Sequence, residues 1–506
     1  MVAIVLVVVA AACSSSDDGE GAQTGDEAVS SSTTTAPATT AAEPSSPSTT
    51  VAPTTTAAPE PSDAEGVVVE VSGPGDAEFA NRAIQDLDAL GYTEAEYFFS
   101  GTARSFTGSD FGADGVWAAE LDGEAPFTSR LVVRRPADPA DFSGVVVVEW
   151  YNVSAGSDND PDWGYLHPEL IREGHAYVGV SAQKAGLDTL VNRSDGRYAE
   201  LEHPGDEFSY DIYTQAGIVA RGPSDGVSVD VWDGLEPTHV IALGESQSAF
   251  RLVTYTNAVH PRAPGVYDGV FIHSRGGRAP SLTADGAELE GLEGGVTIRT
   301  DLTVPVFTFQ TETDVSPRLG SAAARQDDTE LLRLWEVPGT AHADAYLLKE
   351  VYGLEESEGG IGVSINCELP VNDGPQFEVI SAALHHTVAW VVDGTPPPEA
   401  PWIDTTDDDP AEVVRDADGI ATGGIRTPAV DVPIAVLSGE GQAGDGFCGL
   451  FGTTIAFDEA ELAARYGTPA DYVAAVTESA EAAAAAGYLL DTEVATIIAA
   501  AETVEF

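Results

Sequence analysis

Ser246 is the residue of this chain that is best placed to do chemistry. It lies in the run Gly244-Glu245-Ser246-Gln247-Ser248, between an apolar stretch at 240–243 and a helical pattern at 248–255. A tight turn from a strand into a helix strains the backbone and projects a serine hydroxyl above the sheet, where it becomes a candidate nucleophile. Ser248 stands where a second glycine is usual. The alternative interpretation of Ser246 is a small residue at a tight bend.

A second serine shows that the Gly-x-Ser-x-Gly pattern alone does not identify a nucleophile. The run Gly222-Pro223-Ser224-Asp225-Gly226 matches Gly-x-Ser-x-Gly better than residues 244–248 do. However, it follows a helical stretch at 212–219 and carries proline and aspartate, which are typical of a turn between elements. We therefore interpret Ser224 as a turn residue.

Two downstream segments supply the partners that a serine nucleophile needs, a histidine base and a carboxylate that orients the base. His342 lies in a glycine-containing loop after a strand predicted at 332–337. Glu312 and Asp314 follow a strand predicted at 304–309. Asp314 is favoured as the acid because it lies further into its loop, and Glu312 is the alternative acid.

Backbone N–H groups would have to bind the oxyanion that forms when the serine attacks. One is expected from Gln247, the residue after the nucleophile. The other is expected from the loop at 151–156, where we nominate Val153, next to Asn152. These donors complete a candidate oxyanion hole.

The other histidines predict no metal site. His385 and His386 are adjacent in a helical stretch, so their side chains point about 100° apart and cannot act as an i, i+4 pair. Six further histidines precede or flank core elements and are predicted to be structural: His167, His175, His203, His239, His260 and His273. The sequence has no Gly-rich phosphate loop, dinucleotide fingerprint or zinc spacing, so we expect no metal and no cofactor.

Apolar strands that alternate with helices must position these residues. Strands are predicted at 67–71, 131–136, 144–150, 176–180, 240–243, 269–273, 304–309 and 332–337. Helices are predicted at 166–173, 377–392, 459–466, 470–485 and 491–501. This alternation favours a mostly parallel sheet that is covered on both faces. The C-terminal helices are interpreted as additions to the sheet and not as a separate domain.

The charge of the chain excludes some partners. Acidic residues outnumber basic ones by 83 to 22, which gives a formal net charge of −61. Phosphate contacts need clustered cations, so nucleic acid is not expected as a partner. Attraction to anionic lipid headgroups is excluded for the same reason.

The N-terminal segment predicts export. Residues 1–13 form a short apolar run that ends in Cys13, which suits a signal segment with a lipobox-like end but is too short to span a bilayer. Residues 14–65 are rich in Ser, Thr, Ala and Pro, which is typical of a disordered tether. The folded part is therefore expected at 66–506. Lipid attachment at Cys13 would be its only link to a membrane; cleavage by an ordinary signal peptidase and an uncleaved anchor are the alternatives.

Outside the cytoplasm, the remaining cysteines are expected to pair. Cys367 and Cys448 are predicted to form a disulfide, and two buried free thiols are the alternative. Closure of a loop of about 80 residues would stabilise the fold by roughly 4–5 kcal/mol in the chain-entropy model.

Several stretches together resemble a group of bacterial α/β-hydrolase-domain proteins. These are Glu149-Trp150-Tyr151-Asn152-Val153-Ser154, Pro161-Asp162-Trp163, Gly179-Val180-Ser181-Ala182-Gln183, His203-Pro204-Gly205-Asp206, Gly244-Glu245-Ser246-Gln247-Ser248, Thr311-Glu312-Thr313-Asp314-Val315 and Gly339-Thr340-Ala341-His342. The resemblance covers residues 66–506. It implies an α/β-hydrolase fold, with a mostly parallel central sheet flanked by helices and C-terminal helical additions. It also implies a serine-acid-histidine apparatus, and it names no substrate.

These observations predict an exported serine hydrolase that cleaves a carboxylic ester through an acyl-enzyme. A small-molecule ester is the expected substrate. One alternative is a catalytically silent binding lipoprotein on the same fold. Another is a peptidase or acyltransferase with the same triad, because fold and triad do not select the acyl acceptor.

Overall fold

The structure of the protein is a computed structural model. It describes residues 67–70, 79–109, 111–193, 196–222, 230–289, 292, 294–354 and 365–506, with only the backbone at 67–70 and 109. Cys13, the predicted signal segment and tether, and Ser224 lie outside the described residues. All described residues belong to one compact unit.

A nine-stranded sheet in the order β1-β2-β3-β5-β4-β6-β7-β8-β9 forms the centre of this unit. Its strands are β1 Val67–Glu70, β2 Tyr92–Ser109, β3 Ala118–Pro136, β4 Val145–Trp150, β5 Ala176–Val180, β6 His239–Glu245, β7 Gly269–His273, β8 Val306–Thr311 and β9 Leu332–Val337. Strands β5, β4, β6, β7, β8 and β9 pair in parallel, whereas β1, β2, β3 and β5 pair antiparallel. The predicted mostly parallel sheet is therefore confirmed.

Helices cover both faces of this sheet. They are α1 Pro161–Arg172, α2 Lys184–Val191, α3 Ser209–Ala220, α4 Gln247–Thr254, α5 Glu312–Val315, α6 Ala345–Tyr352, α7 Gln376–Asp393, α8 Pro428–Asp431, α9 Glu459–Tyr466, α10 Pro469–Ala485 and α11 Asp491–Ala501. All six residues of β4 are buried, as expected of a strand with helices on both sides. Its side chains alternate between two apolar cores. Val146 and Val148 pack in one core, and Val145 and Val147 pack in the other.

The long β2–β3 hairpin is the main element that the sequence did not predict. Of its strands, only the end of β3, at 131–136, was expected. β2 mixes aromatic, charged and small residues without a clean apolar alternation, so its pattern is typical of no single element. Arg130 and Arg134 are fully buried on β3 and bind carboxylates, among them Glu96 and Asp160. Buried charges of this kind are stable only when they are paired.

The C-terminal helices form where the sequence predicted them. The expected helices at 377–392, 459–466, 470–485 and 491–501 correspond to α7, α9, α10 and α11. The segment at 403–450 also contributes β10 Ala435–Ser438, which pairs antiparallel with β11 Thr453–Ala456. A disulfide joins Cys367 to Cys448. Among the described residues, the helices are too short or too polar to cross a membrane.

Candidate active site

The turn between β6 and α4 presents Ser246 to the carboxyl edge of the parallel strands. Ser246 has φ 55° and ψ −118°, a conformation that is strained for any residue with a side chain. A Cβ on Gly244 would lie 3.2 Å from the backbone carbon of Ser248, so strand and helix approach closely. The Ser248 hydroxyl donates to the Glu245 carbonyl at 2.7 Å and accepts from the Glu245 N–H at 3.1 Å. Ser248 therefore ties the turn together, which explains how a serine replaces the usual glycine.

His342 lies between Ser246 and Asp314. Its Nε2 is 2.6 Å from Ser246 Oγ, and its Nδ1 is 2.7 Å from Asp314 Oδ1. Because a carboxylate only accepts, Nδ1–H donates to Asp314, and Nε2 accepts the Ser246 hydroxyl. The His342 loop is fixed because its N–H donates to Thr313 Oγ1 at 3.2 Å. The three predicted residues thus form a continuous hydrogen-bonded chain.

Asp314 is held by α5, a helical turn where the sequence predicted an open loop. Thr311 caps this turn: its hydroxyl accepts from the Asp314 N–H, and its own N–H donates to Asp314 Oδ2 at 2.7 Å. This bond leaves Oδ1 for His342. Because Asp314 is fully buried, its orientation is fixed by the turn itself.

Glu312 lies on the same turn but faces elsewhere. Its Oε2 accepts from the Gly339 N–H at 2.8 Å, and its Oε1 accepts from Arg415 at 2.6 Å and from the Gly439 N–H at 2.9 Å. These bonds join the loops that follow β9 and β10. The structure therefore brings Asp314, and not Glu312, to the histidine.

The two predicted oxyanion donors lie at the start of α4 and on the 151–156 loop. Gln247 is the first residue of α4, so its N–H has no partner within the helix. The Val153 N–H donates to the Gln247 side-chain oxygen at 3.3 Å. The side chain of Asn152 donates to Glu245 Oε2 at 3.1 Å and holds the 151–156 loop against the turn between β6 and α4. Val153 and Gln247 thus meet beside Ser246.

Glu245 is a functional candidate that the sequence analysis missed. It is 4% exposed, and its Oε1 lies 3.4 Å from His342 Nε2. Burial raises the pKa of Glu245 to about 7, against the lowering effect of the nearby histidines. A charged residue at the end of an otherwise apolar strand, immediately before the nucleophile, is the signal that could have found it.

The electrostatics of the site favour protonation of His342. Burial alone would lower the pKa of this imidazole. The charge and hydrogen bond of Asp314, together with the charge of Glu245, outweigh burial and raise the pKa. The charge of Arg318, in the segment that follows α5, opposes this effect. The site is thus arranged to accept a proton at Nε2.

A second buried histidine–aspartate pair lies near the Ser246–His342–Asp314 triad. His273 is the cross-strand neighbour of Glu245 in the β6–β7 pair, and its Nδ1 is 2.7 Å from Asp162 Oδ1. Gln376 donates to His273 Nε2 at 3.0 Å. Because both ring nitrogens are engaged away from Ser246, His273 is structural, as the sequence predicted.

One group of metal-type ligands occurs among the described residues: Glu169, Glu173 and His385. His385 Nδ1 already bonds to Glu169 Oε1 at 3.0 Å, and Arg172 binds the other oxygen of Glu169. Arg172 also binds Glu493 on α11 at 3.2 Å. These contacts explain the group as an ion-pair cluster that joins α1 to α7 and α11.

A comparison with protein families agrees with this architecture. Residues 45–499 match the family described as "Alpha/beta hydrolase domain", a match that begins inside the segment predicted as a tether. None of the curated proteins matches.

Among solved structures, the chain is similar to an alpha-beta serine hydrolase homologue from Coxiella burnetii, with 12% identity, coverage of 43% of this chain and 84% of that one, and a TM-score of 0.27. It is also similar to a serine hydrolase without a lid from Xanthomonas campestris, with 13% identity, coverage of 50% and 89%, and a TM-score of 0.26. A third is esterase Est22, with 14% identity, coverage of 51% and 76%, and a TM-score of 0.28. The sequence match over residues 45–499 shows that the chain belongs to the alpha/beta hydrolase domain family. The nine-stranded, mostly parallel sheet is consistent with this assignment.

Proposed function

We propose that this protein is a serine hydrolase that cleaves carboxylic esters through an acyl-enzyme, with Ser246, His342 and Asp314 as its triad. The observation that carries the proposal is the hydrogen-bonded chain from Ser246 Oγ to His342 Nε2 at 2.6 Å and from His342 Nδ1 to Asp314 at 2.7 Å. Hydrogen bonds of this length are what a nucleophile and its base need for proton transfer.

The first half of the reaction forms the acyl-enzyme. Ser246 Oγ attacks the ester carbonyl carbon while its proton moves to His342 Nε2, and the carbonyl oxygen becomes an oxyanion. The N–H groups of Gln247 and Val153 bind that oxyanion, and Val153 exchanges its bond to the Gln247 side chain for one to the substrate. The tetrahedral intermediate then expels the alkoxide, which leaves as the alcohol with the proton from His342.

The second half releases the acid. Water attacks the acyl carbonyl, and His342 Nε2 accepts one proton of that water. The second tetrahedral intermediate expels Ser246 Oγ, which regains its proton from His342. Asp314 stabilises the imidazolium through its bond to Nδ1.

We propose in addition that this hydrolase is exported and acts outside the cytoplasm. The signal-like residues 1–13 precede the folded part, and the Cys367–Cys448 disulfide suits an oxidising compartment. Acylation of Cys13 would hold the protein at a membrane surface.

The decisive experiment is labelling with a fluorophosphonate probe, followed by identification of the labelled peptide. We expect Ser246 to be labelled in wild-type protein, and Ser246→Ala to be folded, unlabelled and inactive on p-nitrophenyl acetate. Folded wild-type protein that resists the probe would support a binding protein instead. A panel of esters, amides and acyl acceptors separates an esterase from a peptidase or an acyltransferase.

A further inference from the structure

We propose that Glu245 is a positioning residue for the base: its carboxylate stabilises the His342 imidazolium that forms when Ser246 attacks, and it thereby sets both the rate and the acid limit of the reaction. This inference rests on the proposed function. Its basis is the 3.4 Å separation between Glu245 Oε1 and His342 Nε2, the nitrogen that accepts the serine proton.

The carboxyl group of Glu245 is fixed where it stands. Asn152 donates to Glu245 Oε2 at 3.1 Å, and the Glu245 backbone is bonded to the hydroxyl of Ser248. These contacts leave Oε1 directed at His342. The side chain is 5% exposed, so little water screens the interaction.

The imidazole thus has a carboxyl group beside each of its two nitrogens. Asp314 accepts from Nδ1, whereas Glu245 lies beside Nε2, where the proton is received and given back. An ionised Glu245 favours the imidazolium over the neutral ring, and the imidazolium exists only after Ser246 has lost its proton. The stabilisation is therefore greater in the transition state than in the resting enzyme, which is the condition for acceleration.

Several titratable groups surround Glu245 and bear on its charge. His342 lies on the loop after β9, His273 is its neighbour on β7, and Asp162 approaches from α1. Asp314 adds a second negative charge from α5. Tyr165 on α1 and Tyr352 on α6 are also within electrostatic reach of Glu245. The histidines favour the ionised carboxylate, and burial together with the two aspartates opposes it.

Glu245→Gln tests this role because glutamine keeps the shape and an oxygen that can accept from Asn152 but loses the charge. We expect the acid limb of kcat/KM for p-nitrophenyl acetate to move about 1 pH unit lower, since His342 loses an attracting charge. The plateau rate should fall about tenfold, because the same charge stabilises the transition state. The rate of fluorophosphonate labelling should show the same two changes.

Two further variants serve as references. Glu245→Asp keeps the charge but withdraws it from Nε2, and should lie between wild type and Glu245→Gln. Glu481→Gln removes one charge from the exposed face of α10 and should leave the pH profile unchanged. Circular dichroism and melting temperature check that each variant is folded.

The outcome separates this inference from the proposed function. Wild-type protein that neither labels nor hydrolyses esters would overturn the function itself. Normal wild-type activity with an unshifted acid limb in folded Glu245→Gln would overturn only the inference and would reduce Glu245 to a scaffold for Asn152. If Glu245→Gln does not fold, Glu245→Asp decides, and an unshifted limb and plateau there would count against the proposal.

Discussion

Glu312 and Asp314 lie two residues apart on one helical turn, yet only Asp314 contacts the imidazole of His342. Asp314 Oδ1 is 2.7 Å from Nδ1, whereas the oxygens of Glu312 accept from Arg415 and from the N–H groups of Gly339 and Gly439. The structure thus divides two neighbouring carboxylates into one that orients a base and one that joins loops. Substitution of each should have a different consequence.

We expect Asp314→Asn to reduce kcat by about 10⁴-fold on p-nitrophenyl acetate, because an amide can donate to Nδ1 and favour the wrong tautomer. Its melting temperature should stay close to that of wild type. Glu312→Gln should instead lower the free energy of unfolding by about 3 kcal/mol, because Arg415 and two buried N–H groups lose a charged acceptor. At temperatures where it is folded, Glu312→Gln should keep most of its kcat.

Steady-state kinetics and chemical unfolding, measured on both variants, check this division. The opposite result, a catalytic loss in Glu312→Gln with an active Asp314→Asn, would show that Glu312 is the acid. Double substitution should give the catalytic loss of one and the stability loss of the other, since the two carboxylates have separate partners.

The sequence predicted the order of the site because strand, acid and histidine follow one another in the chain. It could not decide between Glu312 and Asp314, since that choice depends on the Thr311 cap and on Arg415, which is distant in sequence. The position of Glu245 beside His342 likewise depends on how the loop after β9 folds back over β6. The β2–β3 hairpin was missed because β2 mixes aromatic, charged and small residues without a clean apolar alternation.

The strained backbone of Ser246 gives a second prediction. At φ 55° and ψ −118° a side chain costs about 1–3 kcal/mol, whereas glycine adopts this conformation readily. Glycine also gains about 0.5–1 kcal/mol more entropy on unfolding, which offsets part of the relief. We expect Ser246→Gly to be more stable than Ser246→Ala by about 1 kcal/mol, although both should be inactive.

Ser479 on α10 provides the matched control for this comparison. It lies within a regular helix, where alanine is favoured over glycine by about 1 kcal/mol. Ser479→Gly should therefore be less stable than Ser479→Ala, the reverse of the order at 246. Thermal melts of the four variants check which of glycine and alanine is more stable at each position. If the same residue is more stable at both positions, the backbone of Ser246 is not strained.

The buried carboxyl of Asp344 gives a third prediction, on stability against pH. Its Oδ1 caps α6 by accepting from the Leu347 N–H at 2.9 Å, and the buried side chain of Tyr165 lies beside its carboxyl group. Burial raises the pKa of Asp344 to about 8, and burial also raises the pKa values of Glu245 and Glu378 to about 7. At a pH below its raised pKa, each of these groups holds a proton in the folded state that it loses in the unfolded chain.

The sign of the effect follows from proton binding. A carboxyl with a raised pKa in the folded state contributes stability at low pH, and this contribution is lost as pH rises towards about 8 for Asp344. His175 and His260 have pKa values lowered to about 4 by burial, so they act in the opposite sense, but only below their unfolded pKa of about 6.5. His342 and His385 have raised pKa values and therefore act in the same sense as the carboxyl groups, so stability should fall between pH 6.5 and pH 8.

We expect wild-type protein to be more stable at pH 6.5 than at pH 8 by roughly 1–2 kcal/mol from Asp344 alone. Asp344→Asn keeps an oxygen for the Leu347 N–H but cannot ionise, so it should gain stability at pH 8 and narrow the difference between the two pH values. Denaturant unfolding at constant ionic strength measures both quantities. An equal pH difference in wild type and Asp344→Asn would show that Asp344 carries no raised pKa, because a group that ionises alike in both states has no effect on the slope.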